Sequence, residues 1–535
     1  MRMPNADVLV EDREKLINEL ISEIINKRIY PEDHYEITAL LESMGWNDRR
    51  AVENFGVKDL FELSTELWNI IQKKISSTRI TPIEKIDFKD DFIETMRSFL
   101  RGAIFAIPMG ISVLAMLTLR FSLWSYEYLS LELATSIAIG TILSFMTVGG
   151  FTQAIARRGF SYIRQGYYTV ARQLTFYFVK LGYIVCFITT GILLVANIFF
   201  SVFPTRMLIV IALYYIFLTA IWLSVTIMYI LEREITFTGL LIAGIILVYI
   251  FFRVLNLNII ISQIIALFII SISGLVIVIY LFSEEERKLE KGIAPVMPRM
   301  SIVIYSILPY FTYGFLYFTF LFTDRVIAWS TNDTYMPYFI WFRGAYELGL
   351  DFALLTLIIP MGFNEVIVTK LMFDLDENLK SHSLYKTIEM NRKYLNTYIK
   401  RFVSAFLVSV ISAFFIYWAV SFIDQMNLPQ LRTGFLRDYT TRFVFIWALA
   451  AYSILSIALM NAVTLFSLSQ PERVSHSVFY ALIVNILVGF ILSRWIYYSF
   501  AVFGLLSGSL VFVVQTSYHL VKVFKNLDYY LYAAS

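Results

Sequence analysis

The feature that most constrains this chain is a succession of long apolar stretches that begins near Phe99 and continues almost to the last residue. Each stretch is about 20 residues long, which is the length that a helix needs to cross about 30 Å of hydrocarbon. Because a bilayer offers no water to backbone groups, such stretches must form helices. The sequence therefore predicts an all-α polytopic membrane protein. The twelve predicted spans are 99–118, 130–152, 176–200, 207–230, 235–255, 258–282, 301–323, 338–362, 402–423, 440–468, 474–496 and 500–521.

The composition agrees with a membrane protein and excludes several other classes. Hydrophobic residues make up 58% of the chain and charged residues 16%, whereas a soluble domain is nearer to a quarter charged. A net charge of +3 without a basic, aromatic-interleaved patch predicts no nucleic-acid partner. The single cysteine, Cys186, excludes an intrachain disulfide and a thiolate metal cage. The histidines are far apart in sequence, so no metal or other cofactor is predicted; they are His34, His382, His476 and His519.

Loop charges predict the orientation of the spans. Segments on the side of the N-terminus hold 20 Lys and Arg residues, and segments on the opposite side hold 8. The positive-inside rule therefore predicts a multi-pass protein of the cytoplasmic (inner) membrane with both termini in the cytoplasm. No cleaved signal peptide is expected, and the stretch that begins near Phe99 is predicted to act as an internal signal anchor.

A charged segment with two prolines, residues 284–300, divides the spans into six and six. This layout of two six-helix bundles around a central cavity occurs in several transporter superfamilies. A second charged segment, 370–401, is predicted to lie at the membrane surface or to extend its flanking helices. The predicted domains are a cytosolic helical domain at 1–95, a first bundle at 96–283, the inter-bundle linker at 284–300 and a second bundle at 301–535.

Residues 1–95 are polar, with apolar residues at helical spacing, and they predict a small cytosolic helical domain. Gly45 is predicted to end one helix, Asn47 to cap the next and Gly56 to end it. Two roles remain open for this domain. It is either a packing module for the membrane domain or a docking surface for a cytosolic enzyme of the same pathway.

Charged residues inside the spans carry most of the functional information. Arg343, Glu347 and Asp351 are spaced four residues apart, so on one helix they share a face. A charged side chain at mid-bilayer costs on the order of 2.5–3.5 kcal/mol, which excludes a lipid-facing position. Arg343 and Glu347 are predicted to pair, and Asp351 either meets a cation on a facing helix or contacts substrate hydroxyls. The stripe is thus either an internal salt bridge or a component of a polar substrate path, and the spare carboxylate favours the path.

A second charged pair, Asp324 and Arg325, ends the preceding aromatic-rich span. With Trp329 one turn further, the pair is either an interfacial anchor or a further component of the substrate path. Arg101, Lys180 and Arg494 are each able to reach the interface from a helix end.

The sequence contains no motif of a membrane enzyme. A Walker A loop, a G-x-S-x-G elbow and an H-E-x-x-H zinc site are all absent. Asp374 and Asp376 form an acidic pair in a charged segment, a pattern too common on surfaces to predict a metal site. The prediction is therefore a protein that is not an enzyme, and a membrane glycosyltransferase is the weakest alternative.

The charged pair and the span after it resemble the PelG family, the inner-membrane transporter of Pel-type exopolysaccharide systems. In that family an acidic-basic pair precedes a tryptophan, and a later helix carries an acidic residue and an Ile-Pro step. The segment "FLRGAIFAIPMGISVLA" is similar to the first span of the family, with the small-Pro step at Ala106, Ile107 and Pro108. The pair here is Asp-Arg instead of the more frequent Asp-Lys, and residues 1–95 replace a shorter lead-in. The matching positions are Asp324, Arg325, Ile327, Trp329, Asp351, Ile359 and Pro360.

The resemblance implies a fold of the multidrug/oligosaccharidyl-lipid/polysaccharide exporter type, with a V-shaped cavity between two bundles. It also implies export of an exopolysaccharide for a biofilm, or of its carrier-linked precursor, beside a cytosolic glycosyltransferase or synthase. The chain has 34 Tyr, 47 Phe and 9 Trp, whose rings suit stacking on sugars in a lipid environment. Two alternatives remain: a cation-coupled small-molecule antiporter of the same superfamily, or a non-transporting scaffold for a synthase.

Overall fold

The structure is a computed structural model, and helices dominate it. The only extended pairing among the described residues is an isolated antiparallel bridge between Phe121 and Tyr126. The all-α prediction is therefore confirmed. The described residues are 6–27, 31, 33–77, 88–104, 107–289, 297–331, 339–381, 387–426 and 434–534.

The chain forms two compact units. The first consists of Met1–Arg97 together with Ile367–Tyr394, and the second of Ser98–Val366 together with Leu395–Ser535. The N-terminal stretch of the smaller unit thus ends at Arg97, close to the predicted domain end at residue 95. The smaller unit also includes much of the charged segment 370–401, which lies between two predicted spans. Each predicted domain is one continuous range of residues, whereas each unit combines two separate ranges.

The N-terminal module is helical, and its ends follow the predicted signals. The Asn47 side-chain oxygen accepts a hydrogen bond from the Arg50 backbone N–H at 3.0 Å and so caps a helix start. Gly56 ends that helix with a φ of 67°, a conformation that glycine adopts without a Cβ clash. Gly45, with a φ of 84°, follows the end of the preceding helix. The helices are α1 (Ala6–Lys27), α2 (His34–Ser43), α3 (Asp48–Phe55) and α4 (Leu60–Ser77).

The module has a hydrophobic core of its own. Its side chains come from all four helices and leave at most a tenth of their surface exposed. Hydrogen bonding between the buried hydroxyls of Thr38 and Ser64, at 2.9 Å, ties α2 to α4. Arg13 and Glu66 form an ion pair at 2.8 Å between α1 and α4. The core residues are Ile17, Leu20, Ile21, Ile24, Ile37, Leu41, Ala51, Phe55, Val57, Leu60, Leu63, Leu67 and Ile71.

The first predicted span is divided between two helices, and the five that follow are long. Residues of the predicted span 99–118 lie in α5 and α6, and the Ala106 of the predicted small-Pro step lies outside the described residues. These helices are α5 (Phe88–Ile104), α6 (Ile107–Leu119), α7 (Leu131–Arg164), α8 (Tyr168–Phe200), α9 (Thr205–Ile230), α10 (Glu234–Tyr249) and α11 (Ile259–Leu289).

The remaining helices belong to the predicted second bundle. A 3-10 turn, Leu355–Leu357, joins two of them into one stretch that the sequence predicts as a single span. The helices are α12 (Met300–Trp329), α13 (Gly344–Leu354), α14 (Ile358–Ser381), α15 (Thr387–Gln425), α16 (Tyr439–Ser467), α17 (Pro471–Trp495), α18 (Val502–Lys525) and α19 (Leu527–Ala534).

Within the described residues, 11 helical stretches are long and apolar enough to cross a membrane, and Gly110–Leu119 is a shorter apolar helix. The chain is therefore a multi-pass membrane protein, and the predicted twelve spans correspond to the 11 stretches plus the α5–α6 region. The charged segments differ from simple loops. Helix α11 continues to Leu289, with an ion pair between Glu284 and Lys288 at 2.5 Å, so the predicted linker 284–300 begins as helix.

The two predicted bundles meet along α7 and α12, which run antiparallel. Gly149 and Gly314 bring the backbones together, since a Cβ on Gly314 would lie 2.0 Å from the Gly149 carbonyl oxygen. Small residues at such a crossing allow helices in a membrane to approach closely. Phe151 and Phe311 pack edge-on nearby, with ring centroids 5.0 Å apart. These contacts fix the register of the first bundle on the second.

Candidate functional site

The last turns of α12 bury two charged side chains. Asp324 is fully buried, and the Arg325 side chain has 9% of its surface exposed. Trp329, one turn further, is also buried. Asp324 and Arg325 are therefore not an anchor in the headgroup region, where charged side chains stay in contact with water. Their charges need partners inside the protein.

Helix α13 supplies those partners. The Arg325 guanidinium forms an ion pair with the buried Glu347 carboxylate, and it lies 3.4 Å from Asp351 Oδ1. Trp329 Nε1–H donates to Glu347 Oε1 at 2.8 Å. The two charged groups that were predicted separately from the sequence thus form one network across the α12–α13 pair. Of the two predicted alternatives for Asp351, the structure shows the cation on a facing helix.

The predicted ion pair between Arg343 and Glu347 is wrong. Helix α13 begins at Gly344, so Arg343 occupies the position before its first turn instead of a place on the helical face. Its Nη2 donates to the Thr331 carbonyl oxygen at 2.6 Å, and its guanidinium carbon lies 4.4 Å from the centre of the Tyr498 ring. Glu347 pairs with Arg325 because that side chain reaches it from the neighbouring helix.

Asp324 lies at the fully buried end of the network. The Tyr346 hydroxyl donates to Asp324 Oδ2 at 2.7 Å. Asp324 Oδ1 is buried and makes no hydrogen bond within the described portion of the chain. An acceptor in this position loses the energy of its hydration without recovering it. Three carboxylates, those of Asp324, Glu347 and Asp351, are therefore grouped around a single guanidinium that is in direct contact with two of them.

Asp351 is the accessible end of the network. Its side chain has 41% of its surface exposed, while those of Arg325 and Glu347 have less than a tenth exposed. A carboxylate that faced lipid at this exposure would be strongly unfavourable, so the opening is expected to face water or a polar ligand. The network therefore leaves one carboxylate accessible and holds it beside a buried cation.

Arg494 of α17 completes the support of the site. Its guanidinium donates to the Ile327 and Ser330 carbonyl oxygens at 2.9 and 3.0 Å, and to Thr331 Oγ1 at 2.7 Å. The two carbonyl oxygens lie at the C-terminal end of α12, where the backbone N–H partners that continue a helix are missing. The sequence predicted only an interfacial position for Arg494. Its role depends on the approach of α17 to α12, which the sequence of either helix does not reveal.

An aromatic cluster lies next to the network and crosses the contact between the bundles. The Arg325 guanidinium carbon lies 5.5 Å from the centre of the Phe322 ring. Phe145 of α7 stacks on Phe322 and Phe318 of α12, with centroid distances of 5.5 and 5.4 Å, and on Trp222 of α9 at 4.6 Å. All four rings of the cluster are half-buried, so some of each surface is open.

No group of three or more His, Cys, Asp or Glu side chains within the described ranges is arranged to hold a metal ion. The acidic Asp374 lies in α14, within the smaller unit, and His382 lies outside the described residues.

Comparison with protein-family models finds no match, and comparison with curated proteins finds none. Comparison with solved structures finds transporters. The eukaryotic MATE transporter AtDTX14 has a TM-score of 0.55 and 12% identity, with 80% of this chain and 96% of that chain covered. A MOP superfamily transporter from Pyrococcus furiosus has a TM-score of 0.52 and 14% identity, covering 81% and 97%. A Vibrio cholerae MATE transporter gives 0.52 and 12%, covering 82% and 95%. The chain therefore has the fold of these transporters.

Proposed function

We propose that this chain exports an exopolysaccharide, or its carrier-linked precursor, across the cytoplasmic membrane, with both termini in the cytoplasm. The fold, shared with transporters of the MATE and MOP groups, supports a transport role. The observation that carries the proposal is the buried charge network that opens to one side at Asp351. A network that served packing alone would gain nothing from leaving one carboxylate exposed in a lipid environment.

The chemistry of Asp351 suits a polyhydroxylated substrate. An ionised carboxylate accepts several hydrogen bonds, and a sugar presents hydroxyl donors in pairs. Arg325 holds the carboxylate in place, with its guanidinium 3.4 Å from Asp351 Oδ1. Contacts of this kind are reversible, as transport requires, because hydroxyl groups exchange readily between carboxylate and water.

The aromatic cluster supports the same substrate class. Phe145, Phe318, Phe322 and Trp222 form a stack of half-buried rings beside the network. Such rings pack against the apolar faces of sugar rings without fixing one linkage.

A cytosolic synthase is the partner that this proposal requires. The N-terminal module offers a suitable surface, because Tyr35 and Phe61 are 62% and 49% exposed and lie with ring centroids 6.2 Å apart. Exposed aromatic pairs of this kind are enriched in protein interfaces. This proposal favours the docking role of residues 1–95 over the packing role.

Asp351→Asn tests the proposal. The change keeps the side-chain shape but removes the charge, so we expect export to fall by about tenfold or more at an unchanged level of protein in the membrane. The measurement is secreted polysaccharide, in cells that carry this chain and its synthase, with an immunoblot of the membrane fraction. Glu132→Gln, at an exposed position in the first turn of α7, is the matched control and is expected to export normally. Normal export by Asp351→Asn would overturn the proposal.

A cation-coupled antiporter is the second candidate function, and Asp324 favours it. Three carboxylates around one directly bound guanidinium leave an excess of negative charge, which a proton or a monovalent cation would offset. The Asp351 experiment separates the candidates when it is repeated in proteoliposomes. The antiporter would be favoured if an imposed proton or sodium gradient drove uptake of a small fluorescent cation by the unchanged protein but not by Asp351→Asn. Polysaccharide export in cells would then be the same for the two proteins.

A further inference from the structure

Two consecutive arginines lie near the end of α7, outside the network described above. Arg157 is exposed and Arg158 is half-buried. They are one to two turns from the α7–α8 connection, which the positive-inside distribution predicts to be cytosolic. Both are therefore placed where a ligand from the inner side of the membrane would meet them.

Both arginines reach across to α12 and contact neutral groups there. Arg158 Nη2 donates to the Ser306 hydroxyl. The Arg157 guanidinium carbon lies 5.1 Å from the centre of the Tyr310 ring, and that ring packs on Phe466 of α16 at 5.3 Å. The two side chains thus lie at the contact between the predicted bundles, against residues of α12 that are one turn apart.

Neither arginine has a carboxylate partner among the described residues, whereas four other cations at this end of the membrane domain have one. Arg164, the next arginine of α7, is exposed, and its guanidinium carbon lies 5.7 Å from the centre of the Phe160 ring on its own helix. The paired cations and their carboxylates are Arg101 with Glu232, Arg172 with Glu286, Arg233 with Glu285 and Lys288 with Glu284.

Two guanidinium groups on consecutive residues, neither with a carboxylate partner among the described residues, repel each other, and an anion bound by both would offset that repulsion. Arginine presents its N–H donors as a planar fork that fits the oxygens of a phosphate. The Ser306 hydroxyl donates to the Val303 carbonyl oxygen at 2.8 Å and accepts from Arg158, so it holds Arg158 in place and the two arginines supply the donors. We propose that Arg157 and Arg158, the latter positioned by Ser306, form a binding site for the phosphate ester of a membrane-anchored ligand, and that this ligand is a lipid-carrier-linked glycan.

This inference rests on the proposed function and narrows it to the carrier-linked form of the substrate. A glycan held on a polyisoprenoid carrier bears its phosphate at the inner surface of the membrane, at the depth where α7 ends. The phosphate of an ordinary phospholipid has the same chemistry, so the two sources require separate arms of one experiment.

The experiment titrates purified full-length protein in neutral detergent with farnesyl diphosphate, and follows the intrinsic tryptophan fluorescence. We expect saturable binding that Arg157→Gln with Arg158→Gln weakens by about tenfold or more. Arg164→Gln removes the same charge from the same helix and is expected to bind within about twofold of the unchanged protein. Farnesol, which lacks the phosphate, is expected not to compete.

Competition by phosphatidylglycerol decides the source of the phosphate. No competition supports a carrier-linked ligand, while full competition at equal concentration would overturn that assignment in favour of a phospholipid headgroup. Equal binding by the double variant and the unchanged protein would overturn the site itself. If the double variant does not fold, Arg157→Lys with Arg158→Lys keeps the charge but loses the fork, and a severalfold weakening is expected.

Asp351→Asn separates this inference from the proposed function. It lies outside the arginine site, so it is expected to bind farnesyl diphosphate normally while its export falls. Normal export by Asp351→Asn together with weakened binding by the arginine variant would support the phosphate site and contradict the proposed substrate path at Asp351.

Discussion

Arg325 is the residue on which the buried network depends. It is the cation in direct contact with both Glu347 and Asp351, and it has 9% of its side-chain surface exposed. A buried ion pair adds little net stability over an apolar pair of equal volume. Removing one partner is different, because the remaining charge stays buried without compensation.

Arg325→Met is therefore expected to destabilise the protein by about 3–5 kcal/mol, since it leaves the Glu347 carboxylate buried without its cation. The measurement is thermal unfolding of the purified protein in detergent. The double change Arg325→Met with Glu347→Gln removes both charges and is expected to recover most of the loss. A double variant as unstable as Arg325→Met would contradict this account of the pair.

The sequence showed which residues carry charge inside the spans but not how they pair. Asp324, Arg325, Glu347 and Asp351 stood out because charges are rare in apolar stretches, and the structure brings all four together. The partner of Glu347 was predicted from helical spacing within one segment. The actual partner comes from a neighbouring helix, and no periodicity within a single segment contains that information.

At the scale of helices, the close approach of α7 and α12 sets how the first bundle meets the second. Gly149 and Gly314 lie back to back, and no side chain fits between them. Both positions are interior to long helices, where glycine lowers helix stability by about 1 kcal/mol relative to alanine. Their presence there is explained by packing and not by helix formation.

Gly314→Ala is expected to destabilise the membrane domain by about 1–3 kcal/mol, because its Cβ would lie 2.0 Å from the Gly149 carbonyl oxygen. Thermal unfolding in detergent measures the effect. Gly191→Ala on α8 is the matched control, since a Cβ there meets nothing within 4 Å, and it is expected to be neutral or slightly stabilising. Equal effects of the two changes would show that α7 and α12 do not pack as described.

Helix boundaries were predictable where a local signal fixes them. Asn47 and Gly56 act through their own side chain or backbone, and the structure confirms both. The irregular turns within spans were not predicted. The 3-10 turn at Leu355–Leu357 has a local signal that the prediction did not use, because Pro360 has no N–H for the Thr356 carbonyl oxygen, which accepts from the Ser412 hydroxyl at 2.8 Å instead. The π-helical turn at Ile250–Val254 contains no proline or glycine that would mark it.

At the scale of the whole molecule, the chain combines a membrane domain with a module that has its own core. The charged segment 370–401 extends both of its flanking helices, α14 to Ser381 and α15 from Thr387, which was one of its two predicted arrangements. The twelve-span layout was visible in hydropathy alone because lipid imposes the same length on every span.

The N-terminal module is expected to fold without the rest of the chain. A fragment of residues 1–77 contains every residue of its hydrophobic core, so we expect a soluble helical protein with a cooperative thermal transition followed by circular dichroism. Leu67→Ala, at a fully buried position, is expected to lower its stability by about 2–5 kcal/mol. Asn69→Ala, at an exposed position on α4, is the control. A fragment without a cooperative transition would contradict the independence of this core.

The position of this self-contained core has a consequence for synthesis. All of its residues precede the first long apolar helix, and domains generally fold as units in the order in which they leave the ribosome. The apolar faces of α1 to α4 are then already covered against one another when the first membrane segment is translated. When the membrane helices are inserted, the apolar surfaces of α1 to α4 are consequently no longer exposed. Folding of the N-terminal module and insertion of the membrane helices therefore do not compete.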